Sequence, residues 1–115
     1  MTFSHPAGTI VYIKDVTPVD GGEVKTRPVI LLDDCCDADE FIVGVAVTSE
    51  FNRPLEPFAV ELPFGSHGKC KTGLTKPSIA HCEWIVKSHP SDVRERVGYV
   101  TDDILLQIAE RLPED

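Results

Sequence analysis

The chain of 115 residues is 42% hydrophobic and 26% charged, which is the composition of a single folded domain and excludes wholesale disorder. No apolar run approaches the ~20 residues of a membrane-spanning helix, and the start of the chain lacks a basic segment followed by an apolar core, so a cytoplasmic protein is expected. The net charge of −8 argues against general affinity for nucleic acid, although residues 62–82 contain three lysines and no carboxylate.

The first half of the chain predicts three strands separated by polar turns. "GTIVYIK" (8–14) is the first, and a Gly-containing polar loop (17–26) separates it from "RPVILLDD" (27–34). An acidic turn (33–40) leads to "FIVGVAVTS" (41–49), whose apolar side chains are almost continuous. This third strand is therefore expected at the centre of a sheet, covered on both faces.

The second half predicts three further strands and a terminal helix. The strands are 58–64, 78–87 and a short one at 96–100, with a loop at 65–73. "TDDILLQIAERL" (101–112) begins with a threonine suited to N-capping, followed by two acids that favour the positive end of a helix dipole. Four apolar residues share one face of this helix: Ile104, Leu105, Ile108 and Leu112.

These elements indicate a fold that is mainly β with a C-terminal α-helix. Five or six short strands with a helix packed against them are typical of a small barrel or a strongly bent sheet. Because no repeat or interior linker divides the sequence, residues 1–115 are expected to form one domain.

The cysteines raise the question of disulfides or a metal site. Adjacent cysteines cannot readily bond to each other, and the chain lacks a CxxC or HxxxH pair. One His-x2-Cys spacing, from His67 to Cys70, falls short of a zinc signature. Free thiols and no metal are therefore predicted for the four cysteines, Cys35, Cys36, Cys70 and Cys82.

A cation and a hydroxyl stand at predicted strand ends that would meet. Arg27 begins the second strand and Thr48 closes the third, so antiparallel pairing places both at the same end of the sheet. A guanidinium presents a planar fork of donors that fits two phosphate oxygens, and a hydroxyl can donate to a third. Phosphodiester binding suits this pair, although an arginine at a strand entry is also common on ordinary surfaces.

Two more residues have both a functional and a structural interpretation. Glu23, four residues before Arg27, can accept a proton or simply pair with that guanidinium. Trp84 can stack on a nucleobase, whereas a lone tryptophan within an aliphatic strand more often belongs to the core. The residues alone leave both alternatives open.

Several phrases, taken in order, resemble the MazF/PemK-like toxin family, and the resemblance extends over about residues 8–112. They are "GTIVY" (8–12), "EVKTRPVILL" (23–32), "VAVTS" (45–49), "SIAHCEW" (78–84) and "RVGYVTDDIL" (96–105). The resemblance implies an SH3-like small barrel, typically dimeric, that cleaves single-stranded RNA and is held inactive by an antitoxin. Many family members carry Asp/Glu-Gln-Ile-Arg on the fifth predicted strand, where this chain has Glu83-Trp84-Ile85-Val86.

By the same resemblance, Arg27 and Thr48 are expected to be catalytic, and Glu23 is the candidate general base. Further contacts to the RNA are expected from one hydroxyl and three amines: Ser49, Lys25, Lys69 and Lys71. The implied reaction is attack of the ribose 2′-oxygen on the adjacent phosphorus, which requires no metal or other cofactor.

Two other functions stay open at this point. The departure from the family pattern at Trp84 and Val86 fits a non-catalytic barrel whose surface is altered for protein contact. A related toxin group on the same barrel poisons DNA gyrase, and the Arg27/Thr48 pair favours RNA cleavage over that activity. The leading prediction is a metal-independent endoribonuclease that forms a homodimer and is neutralised by an antitoxin.

Overall fold

The computed structural model describes residues 4–17, 23–36, 41–65 and 71–113, and this part of the chain consists mainly of eight strands and one α-helix. The elements are β1 (Ser4–His5), β2 (Thr9–Val16), β3 (Lys25–Leu31), β4 (Cys35–Cys36), β5 (Ile42–Thr48), β6 (Ala59–Leu62), β7 (Ser78–Ser88), β8 (Val93–Tyr99) and α1 (Asp102–Arg111). The prediction of a mainly β fold with a C-terminal α-helix is confirmed.

Six of the strands form one antiparallel sheet in the order β6–β7–β5–β3–β2–β8, and β1 pairs separately with β4. β5 lies inside this sheet and is buried along nearly its whole length, as its apolar sequence predicts. β3 pairs with β5 so that Val29 lies opposite Ala46. The start of β3 therefore lies beside the end of β5.

Hydrophobic side chains pack into two cores, and α1 covers one of them. Ile108 of α1 is fully buried, and Ile104, Leu105 and Leu112 pack against the same core, so the predicted helix face is confirmed. The first core contains Ile10, Ile30, Val45, Val47, Val60, Leu62, Leu74, Ala80, Cys82, Val100 and Ile108. The second core contains Val11, Ile13, Val16, Val29, Leu31, Cys35, Ile42, Ala46, Trp84 and Val86.

A bulge in β7 decides which core Trp84 joins. Val45 and Ala46 are adjacent in β5, but they pair with Ile85 and His81 of β7, so residues 82–84 have no partner in β5. In a regular strand, side chains two residues apart point to the same face. Because the bulge interrupts this alternation, Cys82 packs in the first core and Trp84 in the second.

Residues 71–75, here called the strap, connect the two edges of the sheet. At the end of β8, the amide of Tyr99 donates to the carbonyl of Lys71, with an N···O distance of 3.0 Å. Beyond β6, the amide of Gly65 donates to the carbonyl of Leu74, also at 3.0 Å. The strap thereby ties the β8 edge to the chain that follows the β6 edge and closes the bent sheet at this end.

Two glycines allow the strap to approach β8 this closely. A β-carbon on Gly98 would lie 2.4 Å from the carbonyl oxygens of Lys71 and Thr72. One on Gly73 would lie 2.2 Å from the carbonyl oxygen of Val97, and Gly73 also has a φ of 72°, which favours glycine. Neither position can carry a side chain unless the backbone moves.

The structure differs from the sequence predictions at the shortest strands and at element ends. β1 and β4 have two residues each and were not predicted, because such short pairs show no periodic pattern. β8 begins at Val93 and not at residue 96, since Val93 and the exposed Glu95 also pair with β2. Thr101 is the N-cap residue of α1, but its side chain makes no capping hydrogen bond. Within the described residues, no helix is long and apolar enough to cross a membrane.

Candidate functional site

A cavity of about 270 Å³ opens where β3 begins and β5 ends, and the strap contributes to its wall. Its lining combines residues from β2, β3, β5, the strap and the chain leading into β7. They are Tyr12, Thr26, Arg27, Pro28, Val47, Thr48, Ser49, Gly73, Leu74, Thr75, Lys76 and Ser78.

Arg27 and Thr48 both line this cavity, as the predicted strand pairing requires. The pairing of β3 with β5 ends at Val29 and Ala46, and Arg27 and Thr48 each lie two residues beyond that last pair, at the same end of the two strands. Arg27 is half-buried, and its guanidinium carbon lies 5.1 Å from the centroid of the Trp84 ring. The sequence could therefore predict the meeting of the cation and the hydroxyl, but not the ring beneath the cation.

Thr48 is 7% exposed, and its hydroxyl oxygen accepts a hydrogen bond from the amide of Glu50, with an N···O distance of 3.0 Å. Since this bond uses an oxygen lone pair, the hydroxyl proton stays available for donation to a ligand. The neighbouring Ser49 is exposed and also lines the cavity. The end of β5 thus presents one fixed hydroxyl and one accessible hydroxyl.

The cavity is suited to an anion, although the whole chain is acidic. Its lining contains two cations, Arg27 and Lys76, and, among the residues that the structure describes, no Asp or Glu. Hydroxyl groups dominate the rest of its polar lining: those of Tyr12, Thr26, Thr48, Ser49, Thr75 and Ser78. Cations and hydroxyl donors without a competing carboxylate favour a phosphate group.

Some residues expected at the site do not line this cavity. Glu23 is exposed just before β3, Lys25 is exposed at the first position of β3, and Lys71 is exposed at the start of the strap. Lys69 lies outside the described residues. Lys76 was not among the expected contacts, although it belongs to the acid-free stretch 62–82 that could have indicated it.

Trp84 and Val86 are core residues. They are 9% and 7% exposed and belong to the second core. The departure from the family pattern therefore does not create an altered surface on this chain, and that interpretation of the two residues was wrong. The structural alternative for Trp84, a place in the core, is confirmed.

Burial decides the chemistry of one of the described cysteines, Cys82. Cys35, Cys36 and Cys82 form no disulfide with one another. Cys82 is completely buried, and this burial raises the pKa of its thiol to about 11. Within the described residues, no group of three or more His, Cys, Asp or Glu side chains is placed to hold a metal ion.

Comparisons with known proteins agree with one another. The sequence model of one protein family, the PemK-like, MazF-like toxin of type II toxin–antitoxin systems, matches residues 7–114 of this chain. The structure is similar to the toxin MazF-mt6 of Mycobacterium tuberculosis, at 18% identity and a TM-score of 0.62, over 90% of this chain and 91% of that chain. It is also similar to MazF of Deinococcus radiodurans, at 17% identity and a TM-score of 0.70, over 96% of this chain and 94% of that chain. No curated protein matches the sequence.

Proposed function

Because the chain belongs to the PemK-like, MazF-like toxin family of type II toxin–antitoxin systems, we propose that it is an endoribonuclease that cleaves single-stranded RNA. The observation that carries this proposal is the cavity that joins Arg27 and Thr48 with further hydroxyl groups and no described carboxylate. A site of this chemistry suits a phosphodiester group of the RNA backbone.

The proposed reaction is transesterification by the ribose 2′-hydroxyl. A base takes the 2′ proton, the bond from the 2′-oxygen to phosphorus forms, and the bond from phosphorus to the 5′-oxygen breaks. A proton then reaches the leaving 5′-oxygen, so the products are a 2′,3′-cyclic phosphate and a 5′-hydroxyl. Since the nucleophile is part of the substrate, orientation supplies much of the rate, and the reaction requires no metal.

Arg27 is proposed to stabilise the negative charge that builds on the phosphoryl oxygens in the transition state. A well-placed donor of this kind is typically worth about 3–4 kcal/mol, or roughly 10²–10³ in rate. Thr48 donates its hydroxyl proton to the same phosphate, while Lys76 and Ser49 bind neighbouring backbone oxygens. Glu23 is proposed as the general base, because it precedes β3 at the end of the strand where Arg27 lies.

The toxin family also supports proposals on partners. A protein of a toxin–antitoxin system has an antitoxin, and we propose that the antitoxin blocks the cavity. We further propose that the chain acts as a homodimer in the cytoplasm, as the family resemblance implies. The cavity that joins Arg27 and Thr48 favours RNA cleavage over a purely protein-binding role or an action on DNA gyrase.

Incubation of the purified protein with a long, end-labelled single-stranded RNA tests this proposal. We expect cleavage that is unaffected by EDTA, leaves cyclic phosphate ends and spares DNA of the same sequence, because DNA lacks the 2′-hydroxyl. Arg27→Ala should lower the rate by about 10²–10³.

Arg111→Ala serves as the matched control, since Arg111 is exposed at the end of α1 and its side chain bonds only within that helix in the described structure. It should cleave like the unmodified protein. Equal activity of the Arg27→Ala and Arg111→Ala proteins would show that the cleavage does not use this cavity.

A further inference from the structure

The guanidinium of Arg27 is held by an aromatic ring. Its central carbon lies 5.1 Å from the centroid of the Trp84 ring. Its Nε atom is buried and has no hydrogen-bond acceptor among the residues that the structure describes. In this part of the chain, Arg27 also has no carboxylate partner within salt-bridge distance. The position of the cation therefore depends on the backbone of β3 and on the Trp84 ring.

Trp84 is itself fixed from several sides. Its indole N–H donates to the carbonyl of Thr17, with an N···O distance of 2.9 Å. The ring of His81 meets it edge to face, with centroids 6.0 Å apart and an angle of 89°. The bulge at 82–84 turns it into the second core, where 9% of it is exposed. The ring face that Arg27 covers is thus held in one orientation.

We propose that Trp84 is a positioning residue, whose ring holds the Arg27 guanidinium at the cavity without neutralising its charge. This inference rests on the proposed function. A carboxylate partner would also hold the guanidinium, but it would compete with the phosphate for the same charge and the same N–H donors. An aromatic face attracts the cation through its quadrupole and accepts none of the in-plane N–H groups. The terminal Nη–H groups, unlike the buried Nε–H, stay available to the phosphoryl oxygens.

The proposal gives the departure from the family pattern a role in the chemistry. Trp84 stands in the stretch where many family members carry Gln, and the loss of that residue alone would suggest a weakened site. In this structure the residue that replaces it supports the cation that the proposed reaction uses.

Trp84→Leu and Trp84→Phe separate the ring face from the volume of the side chain. Leu removes the aromatic face, so we expect a fall in kcat of about tenfold with KM little changed, because Arg27 acts in the transition state. Phe keeps an aromatic face and should recover most of this loss, although both variants lose the hydrogen bond to Thr17.

Val86→Ala is the control for stability, because Val86 is buried in the same core and on the same strand as Trp84. It should lower the melting temperature and leave kcat close to that of the unmodified protein. The positioning role would be overturned if kcat fell in all three variants, Trp84→Leu, Trp84→Phe and Val86→Ala, in proportion to their loss of stability.

Fluorescence tests the contact without any cleavage. Trp84 is the only tryptophan of the chain, so emission excited at wavelengths that tyrosine does not absorb reports on this ring. Arg27→Ala removes the cation from the ring and should shift the emission spectrum, whereas Arg111→Ala should not. An emission spectrum that is the same in both variants would contradict the placement of the Arg27 guanidinium over the Trp84 ring.

The two readouts distinguish failure of this inference from failure of the proposed function. If the unmodified protein cleaves RNA and Trp84→Leu matches its kcat, the positioning role is wrong and the endoribonuclease remains. If the unmodified protein cleaves none of a set of diverse RNAs, the proposed function falls and the positioning role falls with it. A fluorescence shift in Arg27→Ala would then still support the contact between the Arg27 guanidinium and the Trp84 ring as a structural one.

Discussion

Thr48→Val and Thr48→Ser form a pair of variants that separates the chemistry of residue 48 from its contribution to stability. Val has nearly the shape of Thr but no hydroxyl, and Ser keeps the hydroxyl but lacks the methyl group. In the structure the Thr48 hydroxyl oxygen accepts a hydrogen bond from the amide of Glu50, with an N···O distance of 3.0 Å. The Thr48 side chain is also buried, at the last position of β5. Each variant removes one of these two contributions.

The expected losses of stability are similar. Val removes the hydrogen bond to Glu50, which is worth about 0.5–1.5 kcal/mol in a typical protein. Ser removes one buried methyl group, which is worth about 1 kcal/mol. The expected activities differ much more, because only Val removes the donor to the phosphate, a loss of roughly 10²-fold or more in rate. A common change in stability cannot account for such a difference.

The measurement is the initial rate of RNA cleavage for both variants at one temperature, together with urea unfolding of each. We expect Thr48→Ser to stay within a few-fold of the unmodified protein, and Thr48→Val to be at least about 100-fold slower. Two equally active variants would exclude the hydroxyl from the mechanism and leave Thr48 as a structural residue.

Three further predictions concern stability and titration. Gly98→Ala should lower the free energy of unfolding in urea by about 2–4 kcal/mol. Gly8→Ala is the comparison, because a β-carbon at Gly8 has room although its φ is 92°, and it should lose much less. Equal losses in the two variants would contradict the close approach of the strap to β8. The Cys82 thiol has a pKa of about 11 in the folded protein and near 9 in the unfolded chain, so the folded state holds this proton more tightly. The free energy of unfolding should therefore fall from pH 9 to pH 11. A Cys82→Ala protein should lose less stability over that range. Arg53→Ala should hardly change the free energy of unfolding, because the ion pair of Arg53 with Glu61 is exposed. Since Arg53 lowers the pKa of Glu61, any difference in stability between this variant and the unmodified protein should vanish as the pH falls through that pKa.

The central pair of the candidate site could be predicted from the sequence because it depends on local information. Arg27 and Thr48 lie at the outer ends of two neighbouring strands, and antiparallel pairing alone brings such ends together. No distant part of the chain has to be placed for this inference. The helix face of α1 was predictable for the same reason, since the period of its apolar residues is visible within one element.

The remainder of the site depends on long-range placement, which local patterns do not contain. Lys76 reaches the cavity only because the strap closes the sheet between its two edges. Trp84 faces the second core only because a bulge reverses the alternation of β7. A regular strand would have placed Trp84 on the same side as Cys82, and no sequence pattern marks the residue at which the alternation changes.

The close contact between the strap and β8 adds a second place, besides the cavity, at which a substitution would inactivate this protein. In cells that survive forced production of the toxin, substitutions at Gly73 and Gly98 should be recovered beside those at Arg27 and Thr48. The first pair would deplete the protein from the cell, since a β-carbon there displaces backbone. The second pair would leave full-length protein at close to its normal abundance, because these substitutions remove cavity groups and displace no backbone.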